Sequence, residues 1–298
     1  MKMNIQDFRF FPSVLFLLIL FGTINISAQE KEKTFPIEVG VYQNPPKIFI
    51  NDQGKPDGIF IDLVEVIAKE EHLSISYTTG EWTELMKRLA KGEIDLMPDV
   101  AFSPERDSLY TLNSLPVLGS WLEVFTTRSD KVNSVKDLQG KKVGVLKGSI
   151  QEEYLNENIK PRLNLDFDLI LFPDYESSAE ALHAGKIDMI VADRFFYFSK
   201  LKKTGIIPSG VIFRPTDLHL AFPKNTDPSL VILFDHSLAK LKNDPNSEYY
   251  HILNRWFEEE KEQAIPPYIY WLLISLGGIL LIAIYMIIFS QILTMIHR

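Results

Sequence analysis

The chain has 298 residues, 46% hydrophobic and 12% aromatic, enough for one large or two modest cores. A formal net charge of −8 argues against nucleic acid or an anionic lipid surface as partner. The absence of cysteine excludes disulfides, thiolate metal sites, cysteine nucleophiles and a lipid-modified N-terminal cysteine, and six histidines without ligand spacing predict neither metal nor metal cofactor.

In chain order, Lys2 and Arg9 precede an apolar run over 10–26, and Ile26-Ser27-Ala28 offers a small-residue cut site before Gln29. Residues 1–28 therefore read as a signal peptide, with an uncleaved anchor as the alternative. Alternation predicts a strand over 37–41, broken by Asn44-Pro45-Pro46. A strand over 47–50, a turn over 51–54, an amphipathic helix over 59–69 and a strand over 74–78 follow. Residues 82–106 then read as a helix closed by Gly92, a buried strand from Ile94 to Met97, and a loop leading to a helix started by Ser103-Pro104-Glu105. Asp99 to Phe102 would lie just past the end of that strand, where open α/β sheets bind ligands. A β-rich stretch over 115–127 reads as a connection between lobes.

The second half predicts strands over 142–146 and 165–172, with a helix between them whose capping box is Ser149 and Glu152. A helix capped by Ser177 and Glu180 ends at Gly185, and 195–202 looks helical. A strand over 218–222 and helices over 228–242 and 249–257 close the body. Gly92-Glu93-Ile94-Asp95 and Gly185-Lys186-Ile187-Asp188 share the pattern G-x-I-D about ninety residues apart, which suggests two similar α/β lobes facing one cleft. Pro266-Pro267 breaks the chain before an uncharged stretch over 268–289, long enough to cross a bilayer, with Tyr268, Tyr270 and Trp271 as interfacial aromatics.

Taken together, Pro45-Pro46 with Gly58 to Leu63, Trp82 to Arg106, Asp137 to Val145, and Ala184 to Asp188 with Asp193 resemble the extracellular solute-binding protein family 3. The resemblance implies a two-lobed α/β fold of the periplasmic-binding-protein type, hinged near 122–127 and 218–222. It places a solute-binding domain over 29–262, with one lobe at about 35–121 and 223–257 and the other at about 128–217. A transmembrane helix over 266–289 and a short cytoplasmic tail over 290–298 complete the expectation.

Carried over by position, the resemblance implies that Arg106 clamps a ligand carboxylate, with Gly148 and Ser149 assisting. It gives the ligand ammonium to Asp193 and aromatic walls to Tyr42 and Trp82. Read as residues alone, Arg106 pairs with a neighbouring acid, Ser149 and Asp193 are helix caps, and the aromatics are core. Asp99 departs from the family pattern: either it draws a cationic, polyamine-like ligand, or it only bonds loop N–H groups. The expected function is a membrane-anchored extracytoplasmic receptor that closes around an amino acid or related amine. It passes the signal or the ligand to a separate kinase, output protein or ABC permease. The alternatives are the binding component of an ABC transporter and a cyclohexadienyl-dehydratase-like enzyme. The expected location is the bacterial inner membrane, with the binding domain in the periplasm.

Overall fold

The computed structural model describes residues 36–127, 131–198, 205–257 and 267–296. The signal-peptide reading of 1–28, residues 199–202 of the expected helix, and residues 297–298 lie outside them. The first lobe opens with β1 (Ile37–Val41), a small hairpin of β2 (Phe49–Ile50) and β3 (Pro56–Asp57), helix α1 (Ile59–Glu70), β4 (Ile75–Thr79) and helix α2 (Trp82–Ala90). β1 and β4 pair in parallel, Ile37 opposite Ile75 through Val41 opposite Thr79. α1 buries Ile59, Phe60, Leu63, Val64 and Ile67, the apolar stripe that its helical period predicts.

Next come β5 (Met97–Ala101), the one-and-a-half-turn helix α3 (Pro104–Leu109), β6 (Tyr110–Leu112) and β7 (Leu118–Thr127). The second lobe follows with β8 (Lys142–Leu146), then α4 (Ile150–Tyr154), which runs through a π turn (Leu155–Ile159) into α5 (Lys160–Leu163). β9 (Asp168–Phe172), α6 (Tyr175–His183), β10 (Met189–Asp193) and a 3₁₀ turn (Arg194–Phe198) complete it. β11 (Ile206–Pro223) returns the chain to the first lobe, where α7 (Pro228–Asn243) and α8 (Glu248–Phe257) pack, and α9 (Pro267–Ile296) follows.

The central sheet runs β5-β11-β7-β10-β8-β9, with β6 also on β11. Its two long strands, β7 and β11, carry both lobes. β10 already pairs with β7 from Leu122 to Phe125, and β5 pairs with β11 from Leu218 to Ala221. Between them, Gly119–Trp121 opposite Pro215–Asp217 pairs with neither β10 nor β5. The crossing therefore precedes both expected hinge stretches.

The G-x-I-D repeat has a structural cause. The Asp95 carboxylate accepts from the Glu38 N–H at 2.9 Å, and the Asp188 carboxylate accepts from the Lys142 N–H at 2.7 Å. In each lobe the aspartate satisfies a backbone donor at the start of a strand. This corrects the expected strand from Ile94: the turn extends through Asp95, Leu96 makes one parallel bridge to Val39, and β5 begins at Met97. The cap of α6 is Asp174, which accepts from the Ser177 N–H at 2.7 Å, not Ser177 itself. The turn after β10 is 3₁₀ over Arg194–Phe198.

α8 joins both lobes. Asp62 of α1 accepts from Arg255 Nη2 and Trp256 Nε1, each at 2.7 Å, while the Phe257 ring stacks on Phe195 with centroids 5.4 Å apart. Among the described residues no helix is long and apolar enough to cross a membrane. The side chains of α9 are described without a break only over 271–282, whereas its backbone is helical for 30 residues.

Candidate functional site

Asp99 lies inside β5, not beyond it, with φ of +61°, a left-handed value that aspartate tolerates better than most residues. Its carboxylate is buried and accepts from Tyr42 Oη at 2.6 Å and Asn44 Nδ2 at 2.9 Å. A third partner brings the opposite charge. Lys47, 2% exposed, brings its ammonium to 2.9 Å from Asp99 Oδ1 and 2.7 Å from Oδ2, and hydrogen-bonds Asp193 Oδ2 on the second lobe. Burial would depress the Lys47 ammonium, but Asp193 and Asp99 together hold its pKa above the ordinary lysine value. Burial raises that of Asp99, with Lys47 opposing.

The backbone fixes Lys47 in place. Its N–H donates to the Asn44 carbonyl at 3.0 Å, and its own carbonyl accepts from the Phe60 N–H at 2.9 Å as α1 begins. Gly58 has φ of +116°, and a Cβ there would sit 2.6 Å from the Lys47 carbonyl oxygen, so only glycine fits this approach. On the other side, Asp193 ends β10, and its Oδ1 accepts from the Phe195 N–H at 2.9 Å. The cap reading of Asp193 and a place in the cleft hold together.

Arg106 forms the cationic end. Ser103 caps α3, accepting from the Arg106 N–H at 3.3 Å with Pro104 at the first position. The guanidinium donates to the carbonyls of Ala101 at 3.0 Å and Gly148 at 3.3 Å, and its carbon lies 5.5 Å from the Trp82 ring centre. Trp82 Nε1 donates to the same Gly148 carbonyl at 3.0 Å, tying the lobes together. Arg106 is 8% exposed, and among the described residues it makes no ion pair, which corrects the reading that pairs it with a neighbouring acid. Burial lowers its pKa from the ordinary arginine value. Ser149 accepts from the Glu152 N–H at 3.3 Å, while Glu152 reaches back to the Gly148 N–H at 2.6 Å, one residue before a standard capping box.

Tyr42, Trp82, Asp99, Arg106, Ser149 and Asp193 thus line one cavity of about 30 Å³. Gly148 lines the wider mouth of about 510 Å³ beside it, with Glu152 and Glu153. Tyr42 also holds Asp99 through its hydroxyl, and its ring tilts against Trp82 at 4.9 Å. Asn44, Lys47, Gln151 and Tyr175 also line the cavity and were not anticipated. The signal available for Lys47 was a single charge among apolar neighbours in Pro46-Lys47-Ile48-Phe49-Ile50. The cation beside Asp99 is the chain's own Lys47, and the other partners of its carboxylate among the described residues are the Tyr42 and Asn44 side chains, not loop N–H groups.

Two lobes on paired crossing strands, a cleft at the strand ends and an arginine within it agree with what the sequence of residues 37–259 matches: the bacterial extracellular solute-binding proteins, family 3. The chain belongs to that family. This family-3 protein is 26% identical over 218 residues to the L-cystine-binding protein TcyJ of Escherichia coli (strain K12), covering 72% of this chain and 79% of that one. It is 22% identical over 254 residues to a putative sensor protein of Shewanella frigidimarina (strain NCIMB 400), covering 84% of this chain and 36% of that protein. Its fold superposes on a histidine kinase sensor domain with similarity to periplasmic binding proteins, with a TM-score of 0.67 and 24% identity, over 76% of this chain and 98% of that domain.

Proposed function

We propose that this family-3 protein is a membrane-tethered extracytoplasmic receptor whose lobes close around a small, amino-acid-like carboxylate. The observation that carries this is Arg106: a buried guanidinium that makes no salt bridge among the described residues, with Glu153 acting on it only across the mouth, and that faces a cavity between the lobes. A planar guanidinium matches a carboxylate bidentately, and burial strengthens the attraction by excluding water. Asp193, Asp99, Trp82, Tyr42, Gly148 and Ser149 form the rest of the ligand's surroundings. The name of the cystine-binding relative supports an amino acid as the ligand class. Closure would turn on the short stretches Gly119–Trp121 and Pro215–Asp217.

The tether is α9, 30 residues without aspartate, glutamate, lysine or arginine. At helical rise it is ~45 Å long, more than the ~30 Å of a bilayer's hydrocarbon. The sensor relatives support handing the signal to a separate output protein, and the transport relative supports handing the ligand to a permease. A dehydratase reading has less support, because Asp99, the acid it would need, is held by Lys47, Tyr42 and Asn44. The test is thermal unfolding of the full chain in lipid nanodiscs with L-amino acids added singly. At least one is expected to raise the midpoint, and Arg106→Ala to abolish the response. A response that survives Arg106→Ala would refute the carboxylate assignment.

A further inference from the structure

We propose that Lys47 occupies the seat of a ligand ammonium and so sets what the cleft can hold: the lobes bind each other through it, and an amine-bearing ligand enters by exchange with it. This rests on the receptor reading above and deepens it.

Three observations carry the inference. Lys47 Nζ hydrogen-bonds Asp99 Oδ1 and Asp193 Oδ2 and lies 2.7 Å from Asp99 Oδ2, so one ammonium of the chain is shared by both carboxylates. The remaining contacts of those carboxylates are taken by Tyr42, Asn44 and the Phe195 N–H. A second ammonium would share these carboxylates with Lys47 and face a like charge at short range. Next, the bond to Asp193 spans 146 residues of sequence and joins the first lobe to the second, so it acts on closure itself. Finally, the cavity beside it is about 30 Å³. Lys47 itself lines that cavity, so the chain narrows the acidic end, while the wider mouth lies on the Arg106 side.

The backbone of Lys47 is pinned by Phe60 and by the close approach of Gly58, so exchange falls to the side chain alone. A four-carbon stem with rotatable bonds suits that motion. The two ends of the cleft then differ in kind. Arg106 awaits an anion, while the acidic end is already filled by the chain. An amine-bearing ligand binds with its affinity reduced by the fraction of time that Lys47 is displaced.

The absence of cysteine makes the test clean. Lys91→Cys and Arg162→Cys, both at exposed positions on opposite lobes, take spin labels in the full chain in nanodiscs after exhaustive dialysis. The wild type is expected to show a single short interlobe distance without added ligand, Lys47→Met a longer or broader distribution, and Lys47→Arg the short one. A Lys47→Met distribution identical to wild type, or a wild type that is mainly open, overturns the proposal. Should Lys47→Met fail to give native near-UV dichroism, Lys47→Gln replaces it under the same criteria. Titration with L-glutamine, L-arginine, L-histidine and L-cystine gives a second reading. Removing the competitor is expected to tighten binding by about tenfold or more. Weaker binding by Lys47→Met makes Lys47 a ligand contact and overturns the exchange. If none of the four binds either protein, the distances alone decide. Arg106→Ala separates the two proposals: it is expected to lose amino-acid binding and keep the short distance. If Lys47→Met closes like wild type while Arg106→Ala still abolishes binding, the exchange fails and the receptor reading stands.

Discussion

A carboxylate removed from water and set against an ammonium no longer titrates on its own. Burial raises the pKa of Asp99 and Lys47 holds it down, leaving it above the ordinary 3.8. The native state therefore binds that proton more tightly than the unfolded chain. Stability falls as pH rises from the ordinary aspartate value through the folded one. Lys47, raised above 10.5, contributes stability that is complete below that value and is lost as pH climbs through its folded pKa. In Lys47→Met the restraint on Asp99 disappears, and its pKa rises further. Calorimetry of that variant should show higher stability at pH 5 than at pH 8, a slope steeper than in wild type. At neutral pH the variant should be less stable than wild type by about 3–5 kcal/mol, the cost of leaving a buried charge without its partner. Parallel pH profiles for the two proteins would mean that the ion pair is not buried in solution. Arg106, Ser149 and Asp193 were singled out through the family resemblance and line one cavity, whereas local pattern alone reads them as a surface pair and two caps. Lys47 was not, since its partners lie 52 and 146 residues away and its own neighbours read as an ordinary strand start.

At the scale of elements, closeness between lobes is built into the turn before α4. Gly148 has φ of +68°, and a Cβ there would sit 2.5 Å from Thr83 Cγ2 of α2, on the facing lobe. Gly148→Ala should cost about 1–2 kcal/mol from the left-handed backbone, plus whatever the collision adds. Adding Thr83→Ser removes the struck methyl, so the double variant should regain the collision part and keep the backbone part. Interlobe distances and unfolding midpoints read the two separately. The paired joints make a contrasting case. Asp95→Ala removes a half-buried bond and Asp188→Ala an exposed one that water can replace, so each should cost about 0.5–1.5 kcal/mol, Asp95 the more, without changing the Arg106-dependent response. The repeat was readable as a sign of two lobes, because one local joint needs one local sequence. Strand limits were less readable: Ile94 is as buried as a strand residue while sitting in a turn. The α6 cap was displaced because Asp174 and Ser177 are both good cap residues, and only the extended backbone at Asp174 decides between them.

For the whole molecule, the two long strands that carry both lobes explain why sequence placed the crossing a few residues late. Their β-rich composition is uniform, and only the pairing of β10 and β5 marks where each lobe stops. The membrane reading has its own test. A chain ending at Phe257 should leave the membrane fraction in carbonate extraction and keep the cleft chemistry, whereas the full chain should stay with the lipid. α8 gives that arrangement a direction. The backbone amide of Phe195 holds the Asp193 carboxylate, and the ring of Phe195 carries Phe257, the last residue of α8. In a tethered receptor, cargo and anchorage would therefore share a single fulcrum: a ligand that displaces Asp193 would also disturb the seat of Phe257, where α8 ends.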